Sequence, residues 1–104
     1  MDSVRKPQMH GEYKMPGGKL VVIDLDLHDG HLVNVQLSGD FFLEPDSALR
    51  TINAALTGQP VDADEVTLVT ALHDALPSEV MMYGVSPEAI AVAVRRALQP
   101  GPDA

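Results

Sequence analysis

The sequence predicts an α+β fold, a small antiparallel sheet with about three helices packed on one face, from three observations. Residues 19–38 alternate apolar and polar with period two on either side of Asp29-Gly30, the pattern of a half-buried hairpin. Three later stretches carry apolar residues at helical spacing between proline, glycine and capping signals. The 104 residues fit one domain. A chain of that size buries roughly two-thirds of the surface its unfolded form exposes, which allows one modest core but not a deep, enclosed active site as well.

In the first strand Ile23, Leu25 and Leu27 alternate with Asp24, Asp26 and His28; in the second Val33, Val35 and Leu37 alternate with Asn34, Gln36 and Ser38. A two-residue Asp29-Gly30 turn would pair His28 with His31 and set Leu25 opposite Asn34, so that the two apolar faces point opposite ways. A three-residue loop, His28-Asp29-Gly30, sets Leu25 against Val33 and Ile23 against Val35, with Gly30 at the left-handed position of a bulged hairpin. The three-residue register is the expectation. Tyr13 to Met15 is expected to add a short edge segment before Pro16-Gly17-Gly18.

The first helix is expected from Pro45, suited to a first helical position, to Thr57, with Gly58 as the stop and Leu49, Ile52 and Leu56 as its stripe. The second is expected over 63–76. Asp62 and Glu65 have capping-box spacing, Val69, Leu72 and Leu76 face inward, and Pro77 ends it. The third is expected over 87–98, capped by Ser86, with Ile90, Val94, Ala97 and Leu98 inward. Val80 to Tyr83 reads as a short extended segment. Residues 1–9 read as a flexible arm, and residues 99–104, with two prolines and a glycine, as a disordered tail.

Fifteen acidic residues against seven lysines and arginines give a formal net charge of -8. The basic residues form no stripe, so nucleic acid and anionic membrane surfaces are disfavoured as partners. Without cysteine there is no thiol catalysis, disulfide or thiolate-held metal cluster. No apolar stretch has the length of a signal peptide or a membrane span, so a cytoplasmic location is expected.

Among candidate chemical groups, His28 and His31 flank the hairpin tip, but a pair supplies too few ligands for a metal site; His10 and His73 read as surface residues. Asp24 and Asp26 alternate with apolar residues, as a solvated strand face does. Two stretches stand out. In Pro16-Gly17-Gly18-Lys19 two glycines let backbone amides approach a ligand, and the lysine suits a phosphate or carboxylate. The P-loop pattern is incomplete and Lys19 leads into a strand, so a simple turn is the competing reading. Ser38-Gly39-Asp40-Phe41-Phe42 holds both phenylalanines. Adjacent strand residues point opposite ways, so one ring suits the core and the other needs a second cluster or a partner. Leu20 and Val22 add apolar surface to the polar face of the sheet, suited to a contact or to cover by the N-terminal arm.

These stretches carry a family resemblance. His10-Gly11-Glu12-Tyr13-Lys14-Met15-Pro16-Gly17-Gly18-Lys19-Leu20-Val21 resembles the opening of the accessory domain of lipoate-protein ligases, with its K-x-P-G-G-K-L-[VI] signature. Ser38-Gly39-Asp40-Phe41-Phe42-Leu43-Glu44-Pro45 is similar to its S-G-D-F-F block. Met15 stands where valine is common, a conservative change. The resemblance runs over residues 10–98, which are expected to be the accessory domain.

The resemblance implies a SufE/NifU-like fold and a role beside a catalytic subunit that binds lipoate and ATP. The R-R-x-x-G-G-G-x-V-x-H-D motif of that subunit does not occur here. The chain is therefore expected to be non-catalytic alone and free-standing, and to support formation of lipoyl-adenylate before transfer to a carrier-protein lysine. ATP, Mg and lipoate are expected only in the complex, and the lipoyl carrier domain is an indirect partner. Lys14, Pro16, Gly17, Gly18, Lys19, Ser38, Gly39, Asp40, Phe41 and Phe42 are the expected ligand or partner contacts. The alternatives are a passive scaffold on the same fold and an independent binder of small ligands.

Overall fold

The computed structural model describes residues 9–98. The expected arm, apart from Met9, and the expected tail of residues 99–104 lie outside the described residues. Strands β1 (Met9–Lys14), β2 (Leu20–His28) and β3 (His31–Gly39) form an antiparallel meander in that order. Strand β4 (Phe42–Glu44) leads into α1 (Ser47–Leu56) and α2 (Glu65–Ala75). Strand β5 (Met81–Tyr83) then returns to pair with β4, and α3 (Pro87–Leu98) follows. The edge segment expected at Tyr13 is thus the end of a full strand that begins at Met9.

Period two decides which face of the meander is covered. Val21, Ile23, Leu25, Leu32, Val35 and Leu37 are buried, while Glu12, Lys14, Gln36 and Ser38 are exposed on the other face. Helix α1 packs on β3, α3 on β1 and β2, and α2 against both helices. Ile52, Leu56, Leu68, Leu72, Ile90 and Val94 complete the core. No helix among the described residues is long and apolar enough to cross a membrane.

The hairpin departs from the expected register. His28 pairs with His31 across a two-residue Asp29-Gly30 turn, both residues having positive φ, 54° and 75°. Those angles match the primed turn that follows strand twist. The opposing parity is repaired further along. Asp26 pairs with Val33 but Asp24 with Gln36, so β3 carries one extra residue opposite Leu25. Asn34 takes it up at φ 53°, a bulge that turns Val33 outward while Leu32, Val35 and Leu37 face in. Leu25 therefore faces the bulge rather than Val33, and Ile23 pairs with Leu37 rather than Val35.

Helix α1 begins two residues after Pro45, because Glu44 is still held in β4 opposite Met81. Its buried residues are Ala48, Ile52 and Leu56, whereas Leu49 is exposed. In α2 the cap is Asp64, not Asp62. Its carboxylate accepts from Thr67 N at 2.9 Å, and that amide holds its pKa below the usual value. Leu68 and Leu72 are buried there, with Val69 and Leu76 only partly so. Ser86 caps α3 as expected, its Oγ accepting from Ala89 N at 3.1 Å. The buried face of α3 adds Ala89, Ala91 and Ala93 to Ile90, Val94 and Ala97, and Leu98 is half-buried.

Both sheet edges are engaged. Along β3, Leu32 N donates to Gln59 O and Leu32 O accepts from Gly58 N, Val61 N donates to Gly30 O beside the strand, and Asn53 Oδ1 accepts from Leu37 N at 3.0 Å. Along β1, Arg96 donates to Glu12 O at 3.1 Å and lies 5.0 Å from the Tyr13 ring centre. Arg95 donates to Val61 O and Ala63 O at 2.9 and 3.0 Å, fastening the approach to α2 onto α3. The two C-terminal arginines thus serve the fold.

Candidate functional site

The turn leading into β2 is closed by a bond from Gly18 N to Met15 O at 2.9 Å, with Pro16 and Gly17 (φ 69°) at its centre. Proline followed by a residue of positive φ is the chemistry of a type II turn. It delivers Lys19 to the start of β2, beside the end of β3. There Val21 pairs with Gly39, and Asp40 N donates to Leu20 O at 3.3 Å. The two unusual stretches of the sequence therefore meet at one end of the meander.

A third segment joins them. A Cβ on Gly84 (φ 83°) would stand 2.5 Å from Lys19 Cγ and 3.7 Å from Phe41 Cα. The lysine stem lies where a side chain at 84 would be, and glycine lets the β5–α3 connection approach. Gly39 is similarly confined, its absent Cβ directed at Leu20 O and 2.9 Å from the Phe41 ring.

The two phenylalanines divide as adjacent strand residues should. Phe41 is half-buried against the core, and Phe42 is 55% exposed on the outer face of β4. Tyr83 pairs with Phe42 across the ribbon, ring centres 5.7 Å apart. Lys14 pairs with Leu20 and is exposed, and Ser38 lies outward opposite Val22. Lys19, Gly39, Asp40 and Phe41 thus come together, with Lys14, Pro16, Gly17 and Gly18 along one side. Ser38 looks onto the open face of the meander and Phe42 onto the ribbon.

Sequence reasoning missed Tyr83 and Gly84. The available signal was a tyrosine followed by glycine in a chain with four aromatic residues. It could not show the partner, because β4 and β5 are separated by two helices.

On the open face, His10 links two carboxylates: Nδ1 lies 2.6 Å from Asp24 and Nε2 2.7 Å from Glu12. The bond to Glu12, then that to Asp24, raises the imidazole pKa above its ordinary value. Asn34 donates to Asp26 at 3.2 Å. At the hairpin tip His31 Nδ1 donates to Asp29 O at 2.9 Å, and His73 is exposed on α2. Among the described residues no group of three or more His, Cys, Asp or Glu side chains is arranged to hold a metal ion.

No polar or charged residue is buried among the described residues, and Lys14, Lys19, Ser38, Asp40 and Phe42 are exposed at the surface. Two grooves lie elsewhere, one of about 390 Å³ beside Asp64 and Arg95 and one of about 350 Å³ beside Leu76, Val80 and Met82. Neither is lined by the expected ligand or partner contacts, though His73 lines the second.

The fold is one seen in a solved structure. A chain from the structural analysis of an archaeal lipoylation system, a bi-partite lipoate protein ligase and its E2 lipoyl domain from Thermoplasma acidophilum, is similar with a TM-score of 0.62 and 24% identity. The match covers 84% of this chain and 98% of that one. The likeness is one of fold. No family model matches the sequence, and no curated protein matches it either.

Proposed function

We propose that this protein is the non-catalytic accessory component of a two-chain lipoate-protein ligase, supporting ATP-dependent activation of lipoate by a separate catalytic chain. The observation that carries this reading is the meeting of the Pro16–Lys19 and Ser38–Phe42 stretches at one end of the meander. The similarity in fold to a chain from a bi-partite ligase system supports it.

Lipoyl-adenylate forms when a carboxylate attacks the α-phosphate of ATP with loss of pyrophosphate. That step needs phosphate charge neutralised and water kept away. This chain brings an open surface with two lysines, Lys14 and Lys19, at the relevant end. Such a surface suits closing over a site built by another chain, which would hold ATP, Mg and lipoate. The adenylate then passes to a lysine of the lipoyl carrier, a step in which the accessory chain is less involved. The reading places the protein in the cytoplasm.

Reconstitution tests it. Pyrophosphate release is measured with lipoate and ATP for this chain, for the purified catalytic ligase chain of the same source, and for the mixture. The expected result is no turnover by this chain alone and a clear gain on mixing. Turnover by this chain alone, or no gain on mixing, would refute the reading.

A further inference from the structure

The β4–β5 ribbon has two faces. Leu43 is buried and Met82 half-buried on the inner one. On the outer one Phe42 is 55%, Met81 49% and Tyr83 46% exposed, and Glu44 stands opposite Met81. Half of the four aromatic residues of the chain are thus stacked together at the surface. Burial within the domain does not account for their position, and contiguous exposed apolar side chains of this kind mark interaction surfaces.

Charge narrows the choice of partner. Residues 40–49 and 77–87 hold Asp40, Glu44, Asp46 and Glu79 and no lysine or arginine, and the neighbouring Lys19, its stem packed at Gly84, is one cation against these four acids. The Glu44 side chain is exposed and forms no ion pair or hydrogen bond among the described residues. A second copy of this chain would bring acid against acid, at a formal net charge of -8 on each. An aromatic pair beside a carboxylate instead suits a cation: a guanidinium or ammonium can lie over the ring faces and pair with the carboxylate.

We propose that the outer face of the β4–β5 ribbon, formed by Phe42, Glu44, Met81 and Tyr83, is the docking surface for a basic, apolar strip of the catalytic ligase chain. An arginine or lysine of that strip lies over the Phe42–Tyr83 rings and pairs with Glu44. This rests on the accessory reading above and assigns the face that reading left open. The opposed signs set the register of the two chains, and the apolar centre supplies most of the affinity.

The test is titration of the isotope-labelled full chain with the purified catalytic ligase chain, followed by amide NMR shifts, with calorimetry of variants. The expected result is shift changes centred on residues 42–44 and 81–83. Phe42→Ser, Tyr83→Ser and Glu44→Lys should each weaken binding by about tenfold or more. Wild-type affinity should fall with added salt, and that of Glu44→Gln should fall less. Unchanged circular dichroism of the variants keeps their losses tied to the surface. Normal binding by all three variants, with shifts centred on Val22 and Ser38, overturns the docking face and leaves the accessory reading standing. A dimer in sedimentation that Phe42→Ser dissolves also overturns it, in favour of a second copy. Absence of both binding and stimulation of pyrophosphate release by the wild-type chain removes the accessory reading and this proposal together.

Discussion

Gly11 of β1 lies against the backbone of Ala97 in α3 so closely that a Cβ on Gly11 would stand 2.5 Å from the Ala97 nitrogen and 2.9 Å from its Cα. The carbonyl of Ala93 closes the same space. Alanines 89, 93 and 97 keep that face of α3 flat, and glycine lets the strand settle onto it. Gly11→Ala should destabilise the protein by about 2 kcal/mol or more, because the clash is with backbone that cannot rotate away. Urea unfolding measures it; a loss below about 0.5 kcal/mol would show that β1 and α3 can move apart freely.

Asn34 carries the bulge at φ 53°. Asn34→Gly should retain stability, since glycine adopts that angle without a Cβ penalty. Asn34→Val should lose about 1–3 kcal/mol, because a β-branched residue there is strained. Equal stability of the two variants would show that the bulge is not fixed by this residue.

That bulge marks how far the sequence could be read. Alternation at Ile23, Leu25 and Leu37 identified both strands, and the conflict of parity across Asp29-Gly30 was visible. Its resolution was not. A single extra residue can sit in the turn or within the strand, and only packing of Leu32 against the core chooses between them. Ser86-Pro87 located α3 because capping is local. Pro45, Asp62 and Leu49 misled for the same physical reason: they obey local rules that the pairing of Glu44 with Met81 and the actual cap at Asp64 override. The two site stretches could be picked out singly, but their contact through Leu20 and Gly39 is a matter of register. The share taken by Tyr83 and Gly84 depends on a strand pairing that spans two helices.

His10 should make stability depend on pH. Its folded pKa is raised above the ordinary 6.5 by Glu12 and Asp24. The stabilisation is therefore fully present below the unfolded value and is lost as pH rises through the folded value. Wild type should exceed His10→Gln in unfolding free energy by more at pH 6 than at pH 9. Exposure of the cluster keeps the difference under about 1 kcal/mol. A difference that grows from pH 6 to pH 9 would contradict this arrangement.

Lys19 combines a stem packed at Gly84 with a charge. Lys19→Met keeps the stem and should leave the melting temperature nearly unchanged, whereas Lys19→Ala should lower it. On the accessory role proposed above, both should slow adenylate formation by the reconstituted pair, consistent with loss of a charge-assisted contact of about 1.5–3 kcal/mol, roughly a tenfold or larger fall in rate. Transfer from preformed lipoyl-adenylate should suffer less. Wild-type adenylation by Lys19→Met at limiting ATP would reduce the residue to a structural one.

The contact between Gly11 and α3 also governs when the domain can form during synthesis. The meander is made before any of the helices; α1 can cover β3 early, yet the apolar face of β1 and β2 stays bare to solvent until α3 has been translated and can lie across them. Folding therefore cannot proceed steadily from the amino end; it waits on the emergence of α3 from the ribosome. A nascent chain stalled before Pro87 would present Val21, Ile23 and Leu25 uncovered, a species to be guarded by chaperones or removed by proteases.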